Sequence, residues 1–296
     1  MFTADNNPRP LRVAVPNKGR LREPALRLLS SAGIEPLYGG DSRALLVPTT
    51  RSDVVLVYAR ADDIPVLVAS GAVHLGVTGR DLVYEACVED EVEVVLDLGF
   101  GSGRIVVAVP SGYEYTGLES LEGRRVATKY VNIASRFFEE RGVRVRIMKV
   151  SGATEVMPLL GAADAIVDIM STGTTLRAHG LTPVETIMET SAVMIRGPVP
   201  EALEETALQV VEVVRSVVNA RGVKLVLMNV PDEALRAVLS VLPSMSGPMV
   251  AKLESPRPMW EVMVAARESD LPRIIVEARR MGARDIVILG VEKVVP

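Results

Sequence analysis

Residues 11–33 read LRVAVPNKGRLREPALRLLSSAG, and this stretch sets the expected fold. Residues 11–16 are almost continuously apolar, as a strand covered on both faces must be. Asn17, Lys18, Gly19 and Arg20 interrupt the run as a polar loop. Beyond it Leu21, Ala25, Leu28 and Leu29 fall at helical spacing, and Gly33 ends the helix. A strand, a loop and an amphipathic helix in that order form the unit of parallel sheets flanked by helices.

Working outward, the unit recurs. Strands are expected at 53–58, 73–78, 104–109, 123–128, 143–149, 165–169 and 188–195, with helices at 61–71, 80–87, 132–141, 153–160 and 201–221. The last part changes character. A strand at 224–230, a helix at 231–242, strands at 249–253 and 259–267, a helix at 270–282 and a strand at 285–291 give the order β-α-β-β-α-β. That order is ferredoxin-like, and a domain boundary is expected near Gly222. Ligands of α/β sheets sit beyond the carboxyl ends of the strands. The loops at 16–20, 78–81 and 171–175 are therefore where chemistry is expected.

Composition narrows the class. The 296 residues are 48% hydrophobic and 24% charged, with a formal net charge of −4, which fits a globular chain of roughly two domains of about 150 residues. Mean hydropathy is +0.27, yet no apolar run approaches the ~20 residues of a spanning helix. Residues 1–10 are polar, so neither a secretory signal nor a membrane association is expected, and the protein is read as cytoplasmic. The single cysteine, Cys87, excludes an internal disulfide framework and a cysteine-based zinc site. No long basic run offers a nucleic-acid footprint. Seven acids crowd residues 81–97, and eight bases lie in 121–150. Both stretches are read mostly as solvated faces, with a minority of the bases free to steer an anion.

The strongest chemical signal is Asp164-Ala-Ile-Val-Asp168-Ile-Met-Ser171-Thr172-Gly173-Thr174-Thr175-Leu176. An apolar strand runs into hydroxyl residues grouped around a glycine. The hydroxyls of Ser171, Thr172, Thr174 and Thr175, with backbone N–H groups freed by Gly173, suit a phosphate. Asp168 suits sugar hydroxyls, which need acceptors. The same pattern also fits an ordinary Ser/Thr helix cap, and Asp164 fits a turn. Asn17-Lys18-Gly19-Arg20, Arg60-Ala61-Asp62-Asp63 and Thr78-Gly79-Arg80-Asp81 each follow an expected strand. Their mixture of Arg or Lys with Asp or Asn suits a nucleotide, which carries phosphates, hydroxyls and a base edge. Each alone also reads as a surface turn or helix cap. There is no G-x-x-x-x-G-K-[ST] loop, and the glycines at 99–103 precede a strand rather than a helix. His74 and His179 are far apart in sequence. His74 lies in an expected buried strand and reads as a core histidine.

Taken together, residues 16–21, 60–65, 76–81 and 164–176 resemble ATP phosphoribosyltransferases, the family that begins histidine biosynthesis. The four motifs occur in the family's order, and the likeness extends over nearly all of the chain from Leu11. The resemblance implies a catalytic part of two α/β lobes of the type II periplasmic-binding-protein kind. One lobe would comprise 1–97 with 184–220 and the other 98–183, followed by a ferredoxin-like regulatory domain at 221–296. It implies transfer of phosphoribosyl from phosphoribosyl pyrophosphate to N1 of ATP with Mg²⁺, its protein ligands unassigned. Asp168, Asp164 and Arg20 would be the catalytic set. Ser171, Thr172, Gly173, Thr174, Thr175, Asn17, Lys18, Gly19, Arg60, Asp62, Asp63, Thr78, Gly79 and Arg80 would bind the substrates. It further implies homodimers and homohexamers, and feedback inhibition by histidine held near Ser246, Gly247, Pro248 and Met249.

One stretch departs from the family. Its regulatory domain usually carries Leu-x-Ser-Pro-Thr-Val where this chain has Met245-Ser246-Gly247-Pro248-Met249-Val250. Two side-chain hydroxyls are absent, and weakened histidine inhibition is expected. A two-lobed solute binder and an amino-acid sensor for another enzyme are the rival readings, the first sharing the catalytic fold.

Overall fold

The computed structural model describes residues 10–38, 44–243 and 247–295. The chain divides into two compact units, up to Val211 and from Glu212 onward. Among the described residues no helix is long and apolar enough to cross a membrane.

The first unit contains two sheets. Strands β1 (Leu11–Pro16), β2 (Leu46–Pro48), β3 (Val54–Ala59), β4 (Leu75–Gly79), β5 (Glu93–Asp97) and β11 (Ala192–Arg196) form one of them, in the order β2-β3-β1-β4-β11-β5. Helices α1 (Arg22–Ser31), α2 (Ile64–Ala69) and α3 (Arg80–Glu85) connect its strands. The second sheet holds β6 (Gly103–Pro110), β7 (Arg125–Thr128), β8 (Arg146–Lys149), β9 (Ala165–Met170) and β10 (Leu181–Thr190), in the order β10-β6-β9-β7-β8. Helices α4 (Val131–Glu140) and α5 (Thr174–Ala178) belong to it.

The two sheets repeat one plan. In the first, β1 runs parallel to β3 and β4, and β11 lies antiparallel between β4 and β5. In the second, β7 runs parallel to β8 and β9, and β6 lies antiparallel between β9 and β10. Each lobe thus receives one strand from the segment that has just left the other. This is the expected type II periplasmic-binding-protein arrangement, with antiparallel strands beside the three parallel ones in each sheet. In both lobes the three parallel strands send their carboxyl-end loops toward the crossovers. Apolar burial explains the strand positions: Val13, Ala14 and Val15 are fully buried in β1, and Ile105, Val107, Val126 and Val167 meet in the core of the second lobe.

Several expected elements differ. The strand expected at 188–195 is two strands, because the chain crosses between sheets at Ser191. The return to the first sheet therefore begins at Ala192 rather than at 184. The helix expected at 153–160 is a single 3₁₀ turn, Thr154–Val156. Ala153 precedes it at φ 52°, and Pro158 and Gly161 then break the helical path. The strands β2 and β5, three and five residues long, are additional to the expected ones. His74 is 2% exposed, as a core histidine should be.

The second unit follows the last turns of α6 (Glu204–Ala220) with β12 (Val223–Pro231), α7 (Leu235–Leu239), β13 (Met249–Lys252), β14 (Met259–Arg267), α8 (Leu271–Arg280) and β15 (Arg284–Gly290). Their order in the sheet, β13-β14-β12-β15, is ferredoxin-like. Its core joins Val226, Met228, Val262, Val264 and Ile274. Trp260 is only half-buried, and its indole N–H donates to Asp232 (2.7 Å).

Candidate active site

The loop after β9 is built around Gly173. Its φ is 75°, and a Cβ there would meet Met170 Sδ at 3.1 Å and Arg177 Nη1 at 3.2 Å. The positive φ favours glycine, and a Cβ would also oblige these two side-chain ends to shift. The hydroxyls of Thr172 and Thr174 lie 3.0 Å apart, and Arg177 Nη2 donates to the Thr172 carbonyl (3.1 Å). A cavity of about 190 Å³ opens over this loop, with Asp168, Glu155, Ser171, Thr172, Gly173 and Thr175 among its lining residues.

Asp168 stands near the end of β9, where Oδ1 accepts the Ile169 N–H (2.7 Å). Burial pushes its carboxyl above the usual carboxylate range, against the pull of the Ile169 N–H and of Lys129. Asp164 is placed differently. It lies just before β9, at the amino end of the strand, while the cavity is at the carboxyl end. Its carboxylate is engaged by the Arg125 guanidinium (3.0 and 3.2 Å) and the Arg125 backbone N–H (2.9 Å). Asp164 anchors β7 to β9, away from the cavity.

In the first lobe, Lys18, Gly19 and Arg20 are exposed beyond β1, with Gly19 at φ 84°. Arg20 Nη1 donates to Ser171 Oγ (3.0 Å), so the first-lobe loop touches the phosphate-type loop of the second lobe. The Asn17 N–H is held by the Ala59 carbonyl (2.8 Å), while its side-chain oxygen is buried without a partner. Arg60 pairs with Asp62 (3.0 Å), both exposed, and Asp63 heads α2 without capping it.

Thr78 and Gly79 close β4. Thr78 is fully buried, and its hydroxyl donates to the Ala61 carbonyl (2.7 Å). A Cβ on Gly79 would fall 2.3 Å from Asp81 Oδ1. Both residues are buried at the end of β4. Arg80 lies 3.8 Å from Asp97 and lines a cavity of about 540 Å³ at the crossovers. Asp97, Arg104, Ser171, Glu189 and Ser191 share that cavity. Ser171 therefore belongs to both cavities.

Sequence reading missed Glu155, Lys129, Asp97, Arg104 and Glu189. Lys129 follows β7, and its ammonium sits 4.6 Å over the Tyr130 ring. The rule that singled out 16–20 and 171–175 applies equally to the loops after β7 and β8, and would have found Lys129 and the segment leading to Glu155. In the second unit, Gly247 takes φ 117°, and Met249, the first residue of β13, is 55% exposed. Ser246 lies outside the described residues.

Fold and site define a two-lobed α/β protein with a polar cleft, followed by a ferredoxin-like domain. Residues 60–217 match the family HisG: ATP phosphoribosyltransferase, and residues 220–293 match the HisG C-terminal domain. Proteins named ATP phosphoribosyltransferase are similar over nearly the whole chain. That of Ignicoccus hospitalis is 47% identical over 97% of this chain and 100% of its own. That of Pyrobaculum neutrophilum is 48% identical over 96% of this chain and 99% of its own. The solved ATP phosphoribosyl transferase (HisG:HisZ) complex from Thermotoga maritima is similar at 26% identity and a TM-score of 0.62, over 71% of this chain and 98% of that one. The chain belongs to the ATP phosphoribosyltransferase family, pentosyltransferases that carry out the first step of histidine biosynthesis.

Proposed function

We propose that the cleft transfers phosphoribosyl from phosphoribosyl pyrophosphate to N1 of ATP. The observation that carries this reading is the position of Ser171, shared by two cavities and bound by Arg20 from the facing lobe. The smaller cavity suits a sugar 5′-phosphate on Ser171–Thr175, with the ribose hydroxyls on Asp168 and Glu155. The larger one suits the nucleotide, with Arg80 and Arg104 available to phosphates and Asp97 and Glu189 to donors on the base.

In the transfer, the bond from C1 to the pyrophosphate oxygen breaks and its electron pair leaves with pyrophosphate. The N1 lone pair of adenine forms the new bond to C1. The sugar carries positive charge in between, so carboxylates near it and cations near the leaving group lower the barrier. Lys18 and Arg20 are the cations at the mouth. No proton has to be removed from N1, and no residue is assigned as a general base.

Among the described residues no three His, Cys, Asp or Glu side chains group as a metal cage. The oxygen donors of Asp168 and Glu155, in one cavity, suit Mg²⁺, which keeps most of its ligands from phosphates and water. These two carboxylates would hold the ion, and its charge would neutralise the departing pyrophosphate.

The reading extends to a cytoplasmic enzyme that assembles as a homodimer and homohexamer, with residues 221–296 as the regulatory domain. Histidine would bind there through backbone groups near Gly247 and Pro248. The test is incubation of purified protein with ATP, phosphoribosyl pyrophosphate and Mg²⁺, with and without histidine, and detection of N1-phosphoribosyl-ATP. Absence of product would refute the transfer reading. Activity unaffected by millimolar histidine would refute the regulatory one.

A further inference from the structure

The acidic stretch beginning at residue 81 is not wholly a solvated face. Asp81 is 3% exposed, and its carboxylate accepts two hydrogen bonds from the second lobe. The Tyr130 phenol donates to Oδ2 (2.9 Å) and the Thr190 hydroxyl to Oδ1 (2.7 Å). The Asp81 N–H donates back to Thr190 Oγ1 (3.0 Å). Tyr130 is 1% and Thr190 5% exposed. Thr190 is the last residue of β10, immediately before the chain crosses to the first lobe.

One helical turn along α3, Glu85 reaches the start of α4. Its carboxylate accepts the backbone N–H groups of Asn132 (3.1 Å) and Ile133 (3.1 Å). The first turn of a helix leaves such groups unsatisfied, and α4 has no capping side chain of its own. The anion capping α4 is thus supplied by the other lobe. Asn132 Nδ2 donates in return to the Glu85 carbonyl (2.8 Å). Glu89 and Arg136 continue the line at the surface (2.7 Å), where such a pair contributes little.

These links adjoin residues at or near the candidate site. Arg80, which lines the larger cavity, precedes Asp81 in sequence. Lys129, whose charge acts on Asp168, precedes Tyr130. We infer that Asp81, Glu85 and Tyr130 are positioning residues that hold the lobes in the relative placement the transfer requires. The inference deepens the proposed function and rests on it for its kinetic readout. A buried carboxylate that loses a donor relaxes toward water, and the lobes lose their common reference with it. A displacement of about 1 Å between reacting groups is enough to slow a transfer by orders of magnitude.

Full-length Tyr130→Phe, Glu85→Ala and Glu85→Gln are compared with the parent in three measurements. The first is steady-state turnover of ATP and phosphoribosyl pyrophosphate. The second is calorimetric binding of ribose 5-phosphate, which needs only the second-lobe loop. The third is hydrogen exchange of peptides spanning the crossovers at 97–103 and 188–193. Tyr130→Phe and Glu85→Ala are expected to lower kcat by about tenfold or more, to leave ribose 5-phosphate affinity within roughly twofold, and to speed exchange at the crossovers. Glu85→Gln is expected to recover most of the loss, since its amide oxygen still accepts the α4 N–H groups. Parental kcat in folded Tyr130→Phe and Glu85→Ala would overturn the inference. So would ribose 5-phosphate affinity falling in step with kcat, or Glu85→Gln behaving like Glu85→Ala. If the parent itself shows no turnover, the proposed function fails. The seam is then judged on exchange alone, and unchanged exchange at the crossovers would overturn it.

Discussion

At the residue scale, Asp168 joins function and stability with opposite signs. Burial raises its carboxyl above the unfolded value, so the folded state prefers the protonated acid. That preference is fully present below the unfolded pKa and is lost as pH rises through the folded one. At neutral pH the ionised carboxylate therefore opposes folding. Asp168→Asn is expected to raise the melting temperature at pH 7, and to narrow its advantage as the pH falls toward about 4. It should also lower kcat by about tenfold or more through weaker contacts to the ribose. Thermal melts at several pH values and steady-state assays check both halves. Asp164 has the reverse sign. Its hydrogen bond from Arg125 holds the carboxyl below the usual range, so its contribution is present above the unfolded pKa and fades in acid. The pair is partly exposed, and Asp164→Asn should reduce stability by no more than about 1 kcal/mol. Its kcat should equal the parent's, and a large drop would return Asp164 to the site.

At the element scale, two glycine-dependent loops behave differently. Gly173 belongs to the loop that suits a phosphate, and a side chain there is strained by a φ of 75°. Gly173→Val is expected to abolish measurable ribose 5-phosphate binding in calorimetry while the far-ultraviolet dichroism stays parental. Gly79 belongs to the buried seam instead. A methyl group there would displace the Asp81 carboxylate from Tyr130 and Thr190. Gly79→Ala should therefore destabilise the protein by about 1–3 kcal/mol in denaturant titrations. The contrast separates a loop whose glycine serves a ligand from one whose glycine serves packing. Both occur in motifs that look alike as strings, a glycine flanked by Thr after an apolar strand.

At the scale of the whole molecule, the sheet of the second unit is the surface we propose for assembly and regulation. Val287 and Leu289 on β15 and Met249 on β13 are about half exposed, and apolar exposure of this kind suits a protein interface. Val287→Asp with Leu289→Asp is expected to lower the mass measured by sedimentation, and an unchanged mass would exclude this edge from the interface. Histidine is expected to bind, but weakly. Gly247→Ser with Met249→Thr should tighten it roughly tenfold or more if two hydroxyl contacts of ~1 kcal/mol each are restored. Calorimetry distinguishes that outcome from no change.

The sequence by itself determined the strand–loop–helix alternation, the ferredoxin-like order of the last strands and the hydroxyl loop around Gly173. Each of these is local: an apolar period, a breaker, or neighbours within a few residues. The family was legible for the same reason, since its motifs are short runs at strand ends. Tertiary structure alone decided that Arg125, 39 residues earlier, engages Asp164, while Asp168 is buried beside the cavity. It buried Thr78 against Ala61, broke the apolar run at Ser191 into strands of two sheets, and brought Glu155 beside Asp168. It also turned part of an acidic stretch into a seam between lobes. Those outcomes depend on which strands pair and where the chain crosses over, and pairing joins residues dozens to more than a hundred positions apart. A carboxylate carries no mark in sequence of whether water, an arginine or a facing helix will receive it.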